Sequence, residues 1–219
     1  MAKPPFDKKI PPLRHAPVVF LDTETTGLDP ETHEIVEIAI VALDGSVLLN
    51  TKVKPVNIEA ASPRALEVNG YNEADWAGAP TFDEIKEDVM AALKHKVIVG
   101  QNPQFDRNFV VEALSRCGVE KAYRKLKRHT IDTITLAWEH LVPCGLDRLN
   151  LGAECEFLGI PLEAHQALAD AQGCRAVYLM TLRATEEQRF AWRERARHLG
   201  LIEEPETSDA APKGDAAVS

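Results

Sequence analysis

Positive charge is scarce in this sequence: 25 lysines and arginines face 34 aspartates and glutamates, a formal net charge of −9 over 219 residues. That balance excludes a protein that holds nucleic acid mainly by a broad basic surface. It does not exclude an enzyme that acts on phosphates, because carboxylates that hold divalent cations lower the formal charge of the metal-free chain. Long apolar runs are also missing. None approaches the roughly 18 to 20 residues needed to span a bilayer, and Met1-Ala2-Lys3-Pro4-Pro5 lacks the apolar block of a signal peptide, so a cytoplasmic protein with no membrane partner is expected. Cysteine is sparse too. Cys117, Cys144, Cys155 and Cys174 form no Cys-x-x-Cys pair, which argues against a zinc or redox site and for four reduced side chains that fill space.

Length and composition fit one catalytic domain with short appendages: 45% of residues are hydrophobic and 27% charged. Residues 1–15 hold Lys3, Lys8, Lys9 and Arg14 against Asp7, with four prolines, and read as an extended arm. Residues 202–219 hold five acids against Lys213 and read as a disordered acidic tail without the long apolar stretch of a tight docking segment. Between them, with no repeat or linker, one domain is expected over 16–201.

Val18-Val19-Phe20-Leu21 has the marks of a buried strand, and Glu34–Leu43 those of a second. Asp44-Gly45 turns that strand into Val47–Val53 as an antiparallel hairpin. Helix starts are expected at Ser62-Pro63 and at the capping box Thr81–Glu84. After a third buried strand at Val97-Ile98-Val99, Asn102-Pro103 opens a helix with Phe105, Phe109, Val110, Ala113, Leu114 and Cys117 on its apolar face. Helices follow at Ile131–Leu141, Leu149–Leu158, Ala167–Leu182 and Glu186–Leu199. Thr185 and Gln188 box the last, and Gly200 ends it. The pattern is α/β with a mixed sheet.

The residues that carry chemistry begin at the end of the first strand, in Asp22-Thr23-Glu24-Thr25-Thr26-Gly27-Leu28. Strand side chains alternate faces, so Asp22 and Glu24 leave the strand on the same side, where two carboxylates repel unless a cation or a shared proton compensates. Gly27 lets the chain turn just beyond them. Asp106 lies in the first turn of the helix after the 97–99 strand, a position at which an aspartate by itself is usually a dipole or capping residue. His165 stands just before a helix and Asp170 within its first turns, so both can point toward the same strand ends.

In order and spacing, Asp22-x-Glu24-Thr25-Thr26-Gly27, Asn102-x-x-Phe105-Asp106 and His165-x-Ala167-x-x-Asp170 resemble the three motifs of DnaQ-like 3′→5′ exonucleases of the DEDDh type. The resemblance covers residues 17–184. Ser62–Glu84 is also similar to the proofreading subunit of bacterial replicative DNA polymerases, while ribonuclease T and oligoribonuclease share the three motifs. The resemblance implies a ribonuclease H-like α/β fold, a five-stranded mixed sheet flanked by helices. It implies that Asp22, Glu24, Asp106 and Asp170 bind two Mg²⁺ or Mn²⁺ ions and that His165 is the general base. An all-carboxylate set suits these hard cations and suits zinc poorly. It places the Thr25 backbone at the terminal 3′ hydroxyl and Leu28, Val68 and Phe105 around the terminal bases, with Asn69 and Asn102 in the same substrate-binding set. Asn69 stands where the proofreading subunit has histidine.

The implied activity is metal-dependent hydrolysis at single-stranded 3′ ends that releases nucleoside 5′-monophosphates. DNA in proofreading or repair comes first, RNA 3′-end trimming second, and a DNA polymerase is a candidate partner. A non-cleaving binding module with the same fold has no need of all four carboxylates and the histidine. Outside the motifs, the basic run 121–129 and Arg189, Arg193, Arg195 and Arg197 are weaker candidates for a phosphate track. Glu37 reads as structural rather than as a metal ligand.

Overall fold

A computed structural model describes residues 16–126, 129–163 and 165–201. The proposed arm 1–15 and tail 202–219 lie outside these residues, as do Lys127 and Arg128 of the basic run. Among the described residues no helix is long and apolar enough to cross a membrane.

Five strands form one mixed sheet: β1 (Val18–Thr25), β2 (Ile35–Ala42), β3 (Val47–Lys52), β4 (Val97–Gly100) and β5 (Thr130–Asp132), in the order β3-β2-β1-β4-β5. β3, β2 and β1 pair antiparallel, whereas β1, β4 and β5 run parallel. Around the sheet lie α1 (Pro63–Val68), α2 (Glu73–Trp76), α3 (Phe82–Leu93), α4 (Pro103–Arg116), α5 (Ala122–Lys125), α6 (Thr133–His140), α7 (Leu151–Leu158), α8 (Ala167–Arg183) and α9 (Glu186–His198).

Period-two alternation divides the sheet between two cores. Val19, Leu21, Ile38, Ile40 and Ile98 face α3 and α4, where Val89, Leu93, Phe109 and Leu114 cover them. Phe20, Ala39, Val41 and Val99 face the other way, onto α6 to α9. Each large side chain removed from water in this way contributes about 1.5 to 3 kcal/mol. Cys144, Cys155 and Cys174 are buried in the second core and all four cysteines are free thiols, as space-filling side chains should be.

One segment differs from the sequence expectation. Thr130–Asp132 is a strand and not the first turn of a helix; it pairs with β4 through Ile98↔Thr130, Val99↔Ile131 and Gly100↔Asp132. Asp132 ends the strand and caps α6, its carboxylate accepting the N–H of Ile134 at 3.0 Å. Between β4 and β1 the backbones approach closely enough that a Cβ on Gly100 would stand 2.9 Å from the Leu21 carbonyl oxygen. That tight seam lies beside Asp22.

Candidate active site

The two cores explain how carboxylates from both sides of the sheet meet. Asp22 and Glu24 continue the face of Phe20, toward α8, which carries Asp170 near its start. Asp106 belongs to α4, on the opposite face, and reaches the same strand end by bonding to it. Its Oδ1 accepts the backbone N–H of Thr23 at 2.9 Å and the Thr23 hydroxyl at 2.8 Å. Thr23 points away from Asp22 and Glu24, so it serves as the peg that draws Asp106 to their level.

His165 closes the group. Its backbone is left-handed (φ 68°), and its N–H donates to Asp170 Oδ2 at 3.0 Å. One ligand-capable atom from each of Glu24, His165 and Asp170 lies within 4.8 Å of the others. The imidazole is exposed while the acids beside it are sheltered.

Electrostatics set this cluster apart from ordinary surface acids. Asp106 is 3% exposed, and burial pushes its carboxyl up to about 7 although both Thr23 bonds favour the charged form. Glu24 is also pushed up to about 7, first by burial and then by Asp170, Glu37 and Asp106. Asp22 is raised well above the ordinary range by burial, with Asp106, Asp170, Glu24 and Glu37 adding to it. Burial raises Asp170 too, against the His165 N–H and the His165 charge. Desolvation outweighs hydrogen bonding at Asp106 and Asp170, and like-charge repulsion adds to it at Asp22 and Glu24, a strain that a bound cation would relieve. The donors are hard oxygens with one imidazole at the edge. The nearby Cys174 thiol is held neutral by burial and by Asp22, so it adds no soft ligand. This donor set fits Mg²⁺ or Mn²⁺.

The raised carboxyls give an expected pH dependence. Acids whose folded pKa lies above the unfolded value stabilise the fold fully below about pH 4, and that contribution is lost as pH rises through about 7. Metal-free protein should therefore melt at lower temperature at pH 8 than at pH 5.5, and millimolar Mn²⁺ should recover the loss. Calorimetry should also show more protons released per Mn²⁺ bound at pH 6 than at pH 8.5. A melting temperature that climbs with pH in metal-free buffer would contradict the arrangement.

A groove of about 300 Å³ opens directly from Glu24. Thr25, Leu28, Val68, Asn69 and Phe105 of the expected substrate set all line it, with Ser62, Arg64 and Ala65 beside them. Leu28 is 83% exposed and Val68 is exposed as well, so neither is a core residue. Phe105 is half-buried, its ring 4.8 Å from that of Phe109. Asn102 stands outside the lining. It adopts a left-handed conformation before α4 and its N–H donates to Asp132 Oδ1 at 3.1 Å, so it shapes the entry of the helix that carries Asp106. Asn69 is buried, its amide donating to the Thr25 carbonyl at 3.0 Å and accepting from the Tyr71 N–H at 3.2 Å. A Cβ on Gly27 would overlap the His33 ring, so any larger residue there must displace that imidazole.

Arg64 escaped the sequence reading. The available signal was its spacing: four residues before Val68 on α1, it shares the face that lines the groove. On α9 the outcome was different. Arg189 engages His140 and Glu186, Arg195 donates to the Glu156 carbonyl and Arg197 pairs with Glu194, so these three brace the helix.

Comparison with known proteins identifies the family. The sequence model of the family described as Exonuclease matches residues 19–178. A PolC-type DNA polymerase III from Thermotoga petrophila is 32% identical over 170 residues, 75% of this chain and 12% of that protein. Ribonuclease T from Shewanella sp. (strain ANA-3) is 31% identical over 176 residues, 70% of this chain and 76% of that enzyme. The chain thus spans only about an eighth of the polymerase and most of the ribonuclease. In fold it resembles exonuclease I from Methylocaldum szegediense (TM-score 0.65, 21% identity, 84% of this chain and 45% of that one). It also resembles E. coli exonuclease I in a complex with single-stranded DNA (TM-score 0.64, 19% identity, 86% and 46%). Since the family match takes in all five strands and every acid of the cluster, the chain belongs to the DnaQ-like exonuclease family.

Proposed function

We propose that this exonuclease hydrolyses phosphodiester bonds stepwise from single-stranded 3′ ends, releases nucleoside 5′-monophosphates, and takes DNA in preference to RNA. The observation that carries the reading is the apolar groove that opens onto the carboxylates. Leu28, Val68 and Phe105 offer surfaces against which any base can pack, a sequence-tolerant way to hold a terminal nucleotide. Thr25 and Asn69, polar side chains in the groove lining, are turned onto backbone carbonyls of Gly27 and Thr25, which leaves them poorly placed to read a 2′ hydroxyl. By bracing the Thr25 backbone, Asn69 acts as a support for the terminal sugar rather than as a base reader.

Asp22, Glu24, Asp106 and Asp170 would hold two Mg²⁺ or Mn²⁺ ions, which would supply positive charge to the phosphate and acidify the attacking water. His165, exposed at the mouth of the cluster, takes the proton of that water at its imidazole. The water oxygen bonds to phosphorus, the P–O3′ bond breaks, and the departing 3′ oxygen is protonated from solvent. Asp106, fixed by Thr23, cannot swing away, so one side of the cluster is set before substrate arrives.

Single-stranded DNA labelled at its 5′ end should shorten from the 3′ end in a divalent-dependent ladder, faster than RNA of the same sequence. A matched blunt duplex should be slower and a mismatched end intermediate, because unstacking a paired end costs a few kcal/mol. Equal rates on matched and mismatched ends would remove the proofreading role. A tenfold preference for RNA would establish RNA end-trimming, the reading favoured by the ribonuclease T match through 76% of that enzyme.

A further inference from the structure

The start of α8 carries more of the site than its own sequence holds in place. His165 and Asp170 both hang from this turn, yet Gln166, the N-cap, makes no side-chain bond to the helix. The first N–H groups of a helix need an acceptor. On α6, α7 and α9 the N-cap residues Asp132, Asn150 and Thr185 supply one. On α8 the acceptor faces in from the sheet. Glu37 of β2 lies directly across the ladder from Glu24, on the face of Ala39 and Val41 that α8 covers; it lines one recess with His165 and Gln166, and its carboxylate faces the backbone N–H of Ala167. Its cross-strand neighbour is Lys52 on β3, whose Nζ is 3.8 Å from the centroid of the Trp76 ring. Trp76 is fixed in turn by its indole N–H, which donates to the Val36 carbonyl at 2.6 Å.

A fifth carboxylate beside the four of the site adds repulsion to a cluster already crowded with acids. It needs a compensating task, and its place beside His165, Gln166 and the Ala167 N–H names one. We propose that Glu37 is a positioning residue that caps α8 from the neighbouring strand and so fixes the turn from His165 to Asp170. The hydrogen-bond acceptor does this, and the negative charge is incidental. A glutamine at 37 therefore keeps the function, and an isosteric residue without an acceptor loses it.

Two readouts test this, of which only the kinetic one rests on the proposed exonuclease reading. In metal-free protein, Glu37→Met should reduce hydrogen-exchange protection of the Ala167–Ala169 amides by about tenfold or more, whereas Glu37→Gln should stay within about threefold of wild type. On a short single-stranded oligonucleotide, Glu37→Met should lower kcat by about 10- to 100-fold with KM nearly unchanged, and Glu37→Gln should restore most of it. Glutamine as damaging as methionine in both measurements would show that the charge matters, and unchanged protection in Glu37→Met would show that no cap exists. Either result overturns the proposal. If Glu37→Met does not fold, Glu37→Asp replaces it: its shorter carboxylate keeps the charge but falls short of Ala167, and wild-type protection and kcat in that variant would equally overturn it. Failure of the wild-type enzyme to cleave would sink the exonuclease reading alone and leave the exchange result to judge the cap.

Discussion

Asp22→Asn should inactivate the enzyme and stabilise the metal-free protein in the same stroke. Asp22 sits at the centre of the cluster, where burial and four neighbouring acids all oppose its ionisation. As a metal ligand it is expected to contribute at least about 10³-fold to kcat, equivalent to roughly 4 kcal/mol of transition-state stabilisation. Its folded pKa is raised, so its penalty to the fold grows as pH climbs above about 4 toward that raised value. Asparagine removes the ionisable group at almost constant volume. At pH 8 without metal, the variant should therefore melt about 3 °C or more above wild type, and with saturating Mn²⁺ the order should reverse or the gap close. Wild-type kcat, or a variant less stable than wild type in metal-free buffer at pH 8, would show that Asp22 is a structural acid.

His165→Ala should cost about 10² to 10⁴ in kcat, the usual range for loss of a general base, and leave Mn²⁺ affinity within a few-fold of wild type. The geometry makes metal affinity the deciding measurement, because an imidazole nitrogen close to both Glu24 and Asp170 has the reach of a ligand as well as of a base. The left-handed backbone complicates an alanine, which tolerates that region less well than asparagine. His165→Asn serves as the companion variant: it keeps the N–H that bonds Asp170 and lacks the base. If both variants lose metal binding by calorimetry, His165 is a ligand, and the proton must leave the water by another route.

Much of the site was legible because its signals are local. Period-two alternation puts Asp22 and Glu24 on one face whatever the rest of the chain does. Asn102-Pro103 marks the start of the helix that carries Asp106. The Thr185 and Gln188 box marks the last helix equally well. What stayed hidden depends on partners distant in sequence. β5 is three residues long and is a strand only because β4 lies beside it, while Asp132 serves both the strand and the next helix. Asn69 looked like a place to contact a base, and only the fold reveals that the Thr25 carbonyl, 44 residues away, engages its amide. Glu37 and Ala167 carry no mutual signal at all, since the packing of α8 on β2 joins them.

The division of the acids between the two cores has a consequence for how the enzyme is made. Asp22 and Glu24 belong to the first strand, Asp106 arrives with the helix that covers one face, and Asp170 with a late helix that covers the other. No contiguous fragment short of α8 contains the whole cluster, and either core alone leaves one of the acids out of reach. A nascent chain is therefore expected to gain activity toward nucleic acid only after nearly all of the 16–201 region has emerged and both cores have closed, which a series of C-terminal truncations ending before and after α8 would check.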